Sequence, residues 1–83
     1  MPSREQIGRS ILIAKHESAT VEELAAVAPV LADALLLAPG DEHARLVALA
    51  RKMVSRHAEL GRARDADRWR AFVNWLRKQR EES

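Results

Sequence analysis

Apolar side chains recur at intervals of three and four residues along most of the chain, the period of helices buried on one side. The clearest run spans residues 46 to 60, and residues 69 to 76 repeat the spacing with Trp69, Phe72, Val73 and Leu76. The run of residues 11 to 14, ILIA, could suggest a strand, but no other segment offers it a strand partner. The pattern therefore predicts an all-α fold, a small bundle of four main helices in one domain covering residues 1–83.

The first helix is predicted to begin at Ser3. Ser3 and Gln6 have the spacing of a capping box, in which each side chain accepts a hydrogen bond from the other residue's free backbone amide. Ile7, Ile11 and Ala14 then share one face, which we expect to point inward. Gly8 lowers helix propensity, and we interpret it as a close contact with another helix.

The second helix is predicted to begin at Thr20, which forms another capping box with Glu23. Pro29 lies inside the apolar run that follows. Because proline lacks an amide hydrogen and its ring clashes with the preceding turn, we expect this helix to be kinked or broken at Pro29.

The segment APGDEH, residues 38 to 43, predicts a stop and a restart, with Pro39 and Gly40 in the turn and Asp41 as the next N-cap. A third helix should then run to about Leu60 and end at Gly61. Its inward face carries seven residues: Leu46, Leu49, Ala50, Met53, Val54, His57 and Leu60. The fourth helix should begin near Asp65.

The second helix is more apolar than one buried face requires. Its large side chains point around most of the circumference, and residues on helices one and four also fall off their inward faces. Large exposed apolar patches are disfavoured, so the surplus should meet another protein chain. The predicted interface residues are Leu12, Ile13, Val30, Leu36, Leu37 and Trp75. Two partners remain open: a second copy in a symmetric homodimer, and a different, larger target protein.

Charge is unevenly placed although the net charge is only +2. Residues 1–42 carry three positive and seven negative side chains, whereas residues 43–83 carry eleven positive and five negative ones. The basic C-terminal helix offers an alternative function, a small nucleic-acid-binding regulator; a solvated arginine face would have the same pattern. The candidate nucleic-acid contacts are Arg62, Arg64, Arg68, Arg70, Asn74, Arg77, Lys78 and Arg80.

Residues typical of catalytic chemistry are few and isolated. Cysteine is absent, and none of the three histidines has another three or four residues away, so no helical metal pair exists. No glycine-rich phosphate loop or nucleophile elbow is present. His57 lies on an apolar face, where a packed histidine bonded to a backbone group or a carboxylate is the expected arrangement. We therefore expect no enzyme, no cofactor, no metal and no small-molecule substrate.

The N-terminal residues lack the pattern of a signal peptide, and residues 24 to 38 form an apolar run too short to span a bilayer. These features predict a soluble, cytoplasmic protein with no membrane partner. No motif assigns the chain to a family. The leading hypothesis is a non-enzymatic interaction module, an adaptor, regulator or inhibitor from a bacterium or phage, that docks an apolar helical face on a partner protein.

Overall fold

The computed structural model describes residues 2–37 and 40–82. Four α-helices account for most of them: α1 (Arg4–Lys15), α2 (Val21–Ala34), α3 (Glu42–Glu59) and α4 (Ala63–Glu82). The all-α bundle of four main helices is therefore confirmed. Within these ranges, no helix is both long enough and apolar enough to cross a membrane.

The predicted N-terminal caps are confirmed. In α1 the Ser3 amide donates to Gln6 Oε1 at 3.0 Å, and the Gln6 amide donates to Ser3 Oγ at 3.2 Å. Thr20 and Glu23 form the same reciprocal pair at the start of α2. Asp41 caps α3 by accepting from the Ala44 amide. Pro39, in the predicted turn before Asp41, lies outside the described residues.

Helix α2 continues through Pro29 without a break. Of the two outcomes predicted for this position, the break is therefore wrong, and the kink stays a prediction. The helix survives because α1, α3 and α4 all pack against it, and tertiary packing outweighs local propensity in most helices of globular proteins. Helix α2 is thus the central element of the bundle.

Helices α3 and α4 make the most extensive helix contact, and the core forms where α2 packs against this pair. Trp69, Phe72, Leu24 and Leu49 are its largest fully buried side chains. The rings of Trp69 and Phe72 meet edge to face, with centroids 5.7 Å apart, a favoured aromatic geometry. The predicted inward face of α4 is confirmed, since Trp69, Phe72, Val73 and Leu76 are all buried.

Helix α1 is rotated from its predicted orientation. Ser10 and Ala14 are its buried residues, whereas Ile11, predicted to point inward, is exposed. Because α1 packs mainly against α2 alone, it buries a narrow arc, and the small side chains of Ser10 and Ala14 fill that arc. Gly8 is also exposed with open space around its Cα, so its interpretation as a close helix contact was wrong.

The C-terminal end of α3 confirms the role predicted for Gly61. Its φ of 73° is left-handed, and its amide donates to the Ala58 carbonyl while the Arg62 amide donates to the His57 carbonyl. These two bonds are those of a Schellman motif. Leu60, predicted to point inward, is the C-cap residue and is exposed, because the helix ends before its side chain can reach the core.

Two arginines form hydrogen bonds between neighbouring elements of the bundle. Arg45 of α3, which the helical pattern places on the outer side, donates to Asp33 of α2 at 2.9 Å and to Glu42 at 3.2 Å. The hydrogen bond to Asp33 raises the pKa of Arg45 above its ordinary value. Arg68 of α4 donates to the backbone carbonyl of His16, just after α1, and to the carboxylate of Asp65.

Candidate protein-docking surface

Five large apolar side chains remain exposed on the described part of the chain. Leu12 of α1 and Leu36, just after α2, are the most exposed, at 72% and 73%. Leu35 and Ile11 are exposed at 42% and 39%, and Leu60 is the fifth. Leu12 and Leu36 were both predicted as interface residues, whereas the other three were not.

The remaining predicted interface residues are half-buried. Ile13, Leu37 and Trp75 pack against the core cluster, and Val30 is also only partly exposed. The indole of Trp75 stacks on the Phe72 ring with centroids 6.0 Å apart and planes inclined by 20°. Part of the apolar surface that we expected a partner to bury is thus buried within the chain itself. Among the predicted interface residues, Leu12 and Leu36 are the ones that remain exposed.

Leu36 has an unusual backbone conformation. Its φ is 56°, in the left-handed region that a branched aliphatic residue rarely adopts. The Leu36 amide donates to the Asp33 carbonyl, and the Leu37 amide donates to the Ala32 carbonyl. These bonds form the Schellman motif that Gly61 forms after α3, with leucine in the place usually taken by glycine. The strained position therefore presents a large apolar side chain to solvent.

A groove, here called the Met53 groove, is lined by Ile11 and Leu35, the residues that precede Leu12 and Leu36 in the chain. It consists of two depressions, of about 120 and 560 Å³, that share Met53. Ile11, Leu31, Met53 and Trp69 line the smaller one. Leu35 closes one side of the larger depression against α3. The groove therefore has an apolar floor contributed by all four helices or their immediate ends.

Basic side chains border the Met53 groove. Lys15 lines the smaller depression, and Lys52 and Arg56 line the larger one. Glu59 is the acidic residue among the described lining residues, and it pairs with Arg56 at 3.8 Å. The rim of the groove therefore carries net positive charge around an apolar floor.

His57 lies in the smaller depression of the groove. Burial lowers the pKa of His57 below its ordinary value of 6.5, and the nearby cations Arg62, Arg68 and Lys15 lower that pKa further. Its Nδ1 atom is buried without a hydrogen-bond partner among the described residues. The expectation of a histidine bonded to a backbone group or carboxylate was therefore wrong for Nδ1, and the lowered pKa favours the neutral imidazole.

Sequence reasoning missed the groove because its residues come from different faces of the predicted helices. Ile11 and Met53 were assigned to the interior, where the helical period places them, and Leu31 was one of the large side chains that surround the second helix. The spacing within a helix shows which residues share a face, but it does not show how far neighbouring helices are apart. Leu35 carried a usable signal, since it is separated from Leu31 by one helical turn.

The predicted nucleic-acid contacts fall into two groups. Arg70, Asn74, Arg77 and Arg80 line two depressions along the seam between α3 and α4, both of which also include Arg51. The other predicted residues, Arg62, Arg64, Arg68 and Lys78, line neither of these depressions.

Several of these cations already have acidic partners. Arg70 pairs with Asp67 at 2.8 Å, and Arg80 lies 3.8 Å from Asp41. Arg68 is half-buried and bonded to Asp65. Arg51 and Arg77 have no ion-pair partner in the described part of the chain. The seam is therefore a weaker anion surface than the number of arginines in the sequence indicates.

The described residues contain no group of three or more histidine, aspartate or glutamate side chains placed to hold a metal ion. Comparison of the chain with protein-family models, with curated proteins and with solved structures gives no match.

Proposed function

We propose that the protein is a non-enzymatic interaction module that docks an exposed apolar helical surface on a partner protein. The observation that carries the proposal is Leu36, a leucine that is 73% exposed and held in a left-handed conformation. Backbone strain of this kind costs roughly 1 to 3 kcal/mol and is concentrated at functional sites. Neither core packing nor helix capping requires leucine at this position, whereas an anchor for a partner does.

The partner is another protein chain, either a second copy or a larger target. Leu12 and Leu36 supply apolar area to the interface. The half-buried candidates are Ile13 of α1, Val30 of α2, Leu37 just after α2, and Trp75 of α4. An adaptor, regulator or inhibitor acting in the cytoplasm of a bacterium, or encoded by a phage, is the biological role that we infer for such a module.

The proposal is tested by replacing Leu36 with glutamate. Because Leu36 is exposed in the isolated chain, Leu36→Glu should leave the fold intact and weaken association, since a charge cannot be buried unpaired in an apolar interface. Solution mass over a range of protein concentrations, and capture of binding proteins from a lysate with and without nuclease, measure the effect. Ala26→Glu, at an exposed position of α2, is the matched control. A wild-type chain that stays monomeric and retains no protein would contradict the proposal.

The seam between α3 and α4 supports a second candidate, a small nucleic-acid-binding regulator. Arg51 and Arg77 lack ion-pair partners among the described residues and lie beside Arg70, Asn74 and Arg80. Binding through phosphates weakens steeply as salt rises, whereas binding through an apolar surface does not. Nuclease-sensitive capture that is lost in Arg51→Glu and Arg77→Glu, but kept in Leu36→Glu, would favour this alternative.

A further inference from the structure

We propose that the Met53 groove receives an amphipathic helix of a partner protein whose apolar stripe is flanked by acidic residues. The inference rests on the proposed interaction function and names the class of partner and the place where it binds. It is carried by the shape of the groove, by the apolar character of its floor and by the charge of its rim.

The floor is built to contact apolar side chains. Ile11 and Leu35 are partly exposed on its two sides, and Met53 lies between the two depressions. Methionine is unbranched and polarisable, so it adapts to differently shaped apolar partners. The proposed partner helix places apolar anchors, one helical turn apart, in the two depressions that share Met53.

The secondary structure around the groove favours a helix as the occupant. An extended peptide needs a free strand edge to pair its backbone amides and carbonyls, and the surrounding elements are helices whose own backbone groups are already paired. A helix satisfies its backbone internally and presents only side chains. A helical partner therefore fills the groove without leaving buried backbone groups unpaired.

The rim selects the charge of the partner. Lys15 and Lys52 have no ion-pair partner among the described residues, and Arg56 has one exposed pair with Glu59. Lys15 is also one of the cations that, after burial, lower the pKa of His57, together with Arg62 and Arg68. Glutamate or aspartate beside the apolar stripe would meet these cations, whereas lysine would be repelled by them.

The same charges disfavour a second copy of this chain in the groove. A two-fold dimer brings identical patches together. Two copies joined through the groove would place Lys15, Lys52 and Arg56 of both chains at one interface. Among the described lining residues, Glu59 alone is acidic and offsets them in part. A different, acidic partner removes this repulsion.

The test uses a displayed library of helical peptides and the full chain as bait. Every peptide carries leucine at i, i+4, i+7 and i+11, and the flanking positions vary among glutamate, glutamine and lysine. Clones with glutamate flanks should be enriched. A synthetic glutamate-flanked peptide should bind about tenfold more tightly than its lysine-flanked counterpart, as expected for a few partly exposed ion pairs.

Two charge-reversed variants locate the effect. The triple variant Lys15→Glu, Lys52→Glu and Arg56→Glu should invert the preference to lysine flanks. The control reverses Arg4, Arg64 and Lys78, three exposed cations that do not line the groove, and should keep the preference for glutamate. Equal changes in both variants would show an effect of net charge only and would overturn the proposal.

Methionine methyl labelling places the peptide directly. Met53 lines both depressions, so its methyl signal reports on the groove. The peptide should shift Met53, and a 20-base-pair DNA duplex should not displace it. Displacement by the duplex would assign the groove to nucleic acid and overturn the proposal.

The two proposals can fail separately. Peptides that bind without acidic preference, and that are lost in Leu36→Glu but kept in the groove triple variant, would overturn the groove inference and leave the interaction function standing. A library that gives no binders would overturn the groove inference. The concentration-dependent mass and lysate capture of the wild-type chain would then decide the proposed function independently.

Discussion

Leu36 occupies a backbone conformation in which glycine is the usual residue. A side chain in the left-handed region places its Cβ too close to the following carbonyl oxygen, at a cost of about 1 to 2 kcal/mol. Gly61 performs the same capping task after α3 without this cost. Gly61 shows that the fold can form this helix end with glycine. We therefore attribute the leucine at position 36 to binding and not to the fold.

Replacing Leu36 with glycine should therefore stabilise the chain and weaken its association. We expect Leu36→Gly to raise the free energy of unfolding by about 1 kcal/mol, because strain is removed and little buried surface is lost. Urea denaturation followed by tryptophan fluorescence measures this change, and the association assay described for Leu36→Glu measures binding.

Gly61→Ala is the matched control for Leu36→Gly. It introduces a Cβ at a φ of 73° and should lower the free energy of unfolding by about 1 kcal/mol. A Leu36→Gly variant less stable than the wild type would show that the exposed leucine supports the fold, and would remove the observation on which the proposed function depends.

At the scale of the helices, α2 is distinguished by the small residues on its most buried face. Ala28 and Ala32 are fully buried, and they allow three neighbouring helices to approach one axis. The sequence drew attention to the large side chains of this segment, yet the alanines fix how closely the helices pack. A central helix of this kind tolerates little added volume.

Ala28→Leu should accordingly destabilise the bundle. Adding three carbon atoms at a position with no free surface should lower the free energy of unfolding by about 1 to 3 kcal/mol, as overpacking does in other cores. Ala26→Leu makes the same change at an exposed position of α2 and should alter stability by less than about 0.5 kcal/mol. Thermal denaturation of both variants, followed by circular dichroism, tests the difference. Equal stabilities would contradict the central position of α2.

At the scale of the whole molecule, residues from several helices determine the pKa of His57 of α3. Lys15 of α1, Arg62 before α4 and Arg68 of α4 add to burial in lowering its pKa. The unfolded chain therefore takes up a proton at a pH where the folded chain does not. The contribution of a neutral His57 to stability is complete above its unfolded pKa of about 6.5. It is lost progressively as the pH falls from that value toward the lower pKa of the folded state.

His57→Gln should flatten this part of the pH profile. We expect the wild-type melting temperature to fall between about pH 7 and pH 5.5 more steeply than that of the variant, because glutamine does not titrate. The melting temperature measured by calorimetry at half-unit pH intervals gives both profiles, and parallel profiles for wild type and His57→Gln would contradict this assignment.

The fold and the candidate site differ in how far the sequence predicts them. Caps at Ser3, Thr20 and Asp41 and the turn at Gly61 depend on neighbouring residues, so local patterns locate the helices. The exposure of Ile11 and the half-burial of Trp75 depend on how each helix is rotated and packed against its neighbours. The spacing of apolar residues along one helix gives no information on that packing. The left-handed conformation of Leu36 could not be predicted from the sequence either, because capping rules expect glycine or asparagine at such a position.

The central position of α2 also affects how the protein is made. On the ribosome the α2 residues Leu24 and Val27 emerge well before Phe72 and Leu76 of α4, which complete their surroundings in the core. At roughly 5 to 20 residues per second, the ~40 residues between α2 and the last core residue of α4 take about 2 to 8 s to synthesise. During that interval α2, the most hydrophobic helix of the nascent chain, is only partly covered by its packing partners. Translation speed and chaperone binding therefore determine what fraction of the protein aggregates.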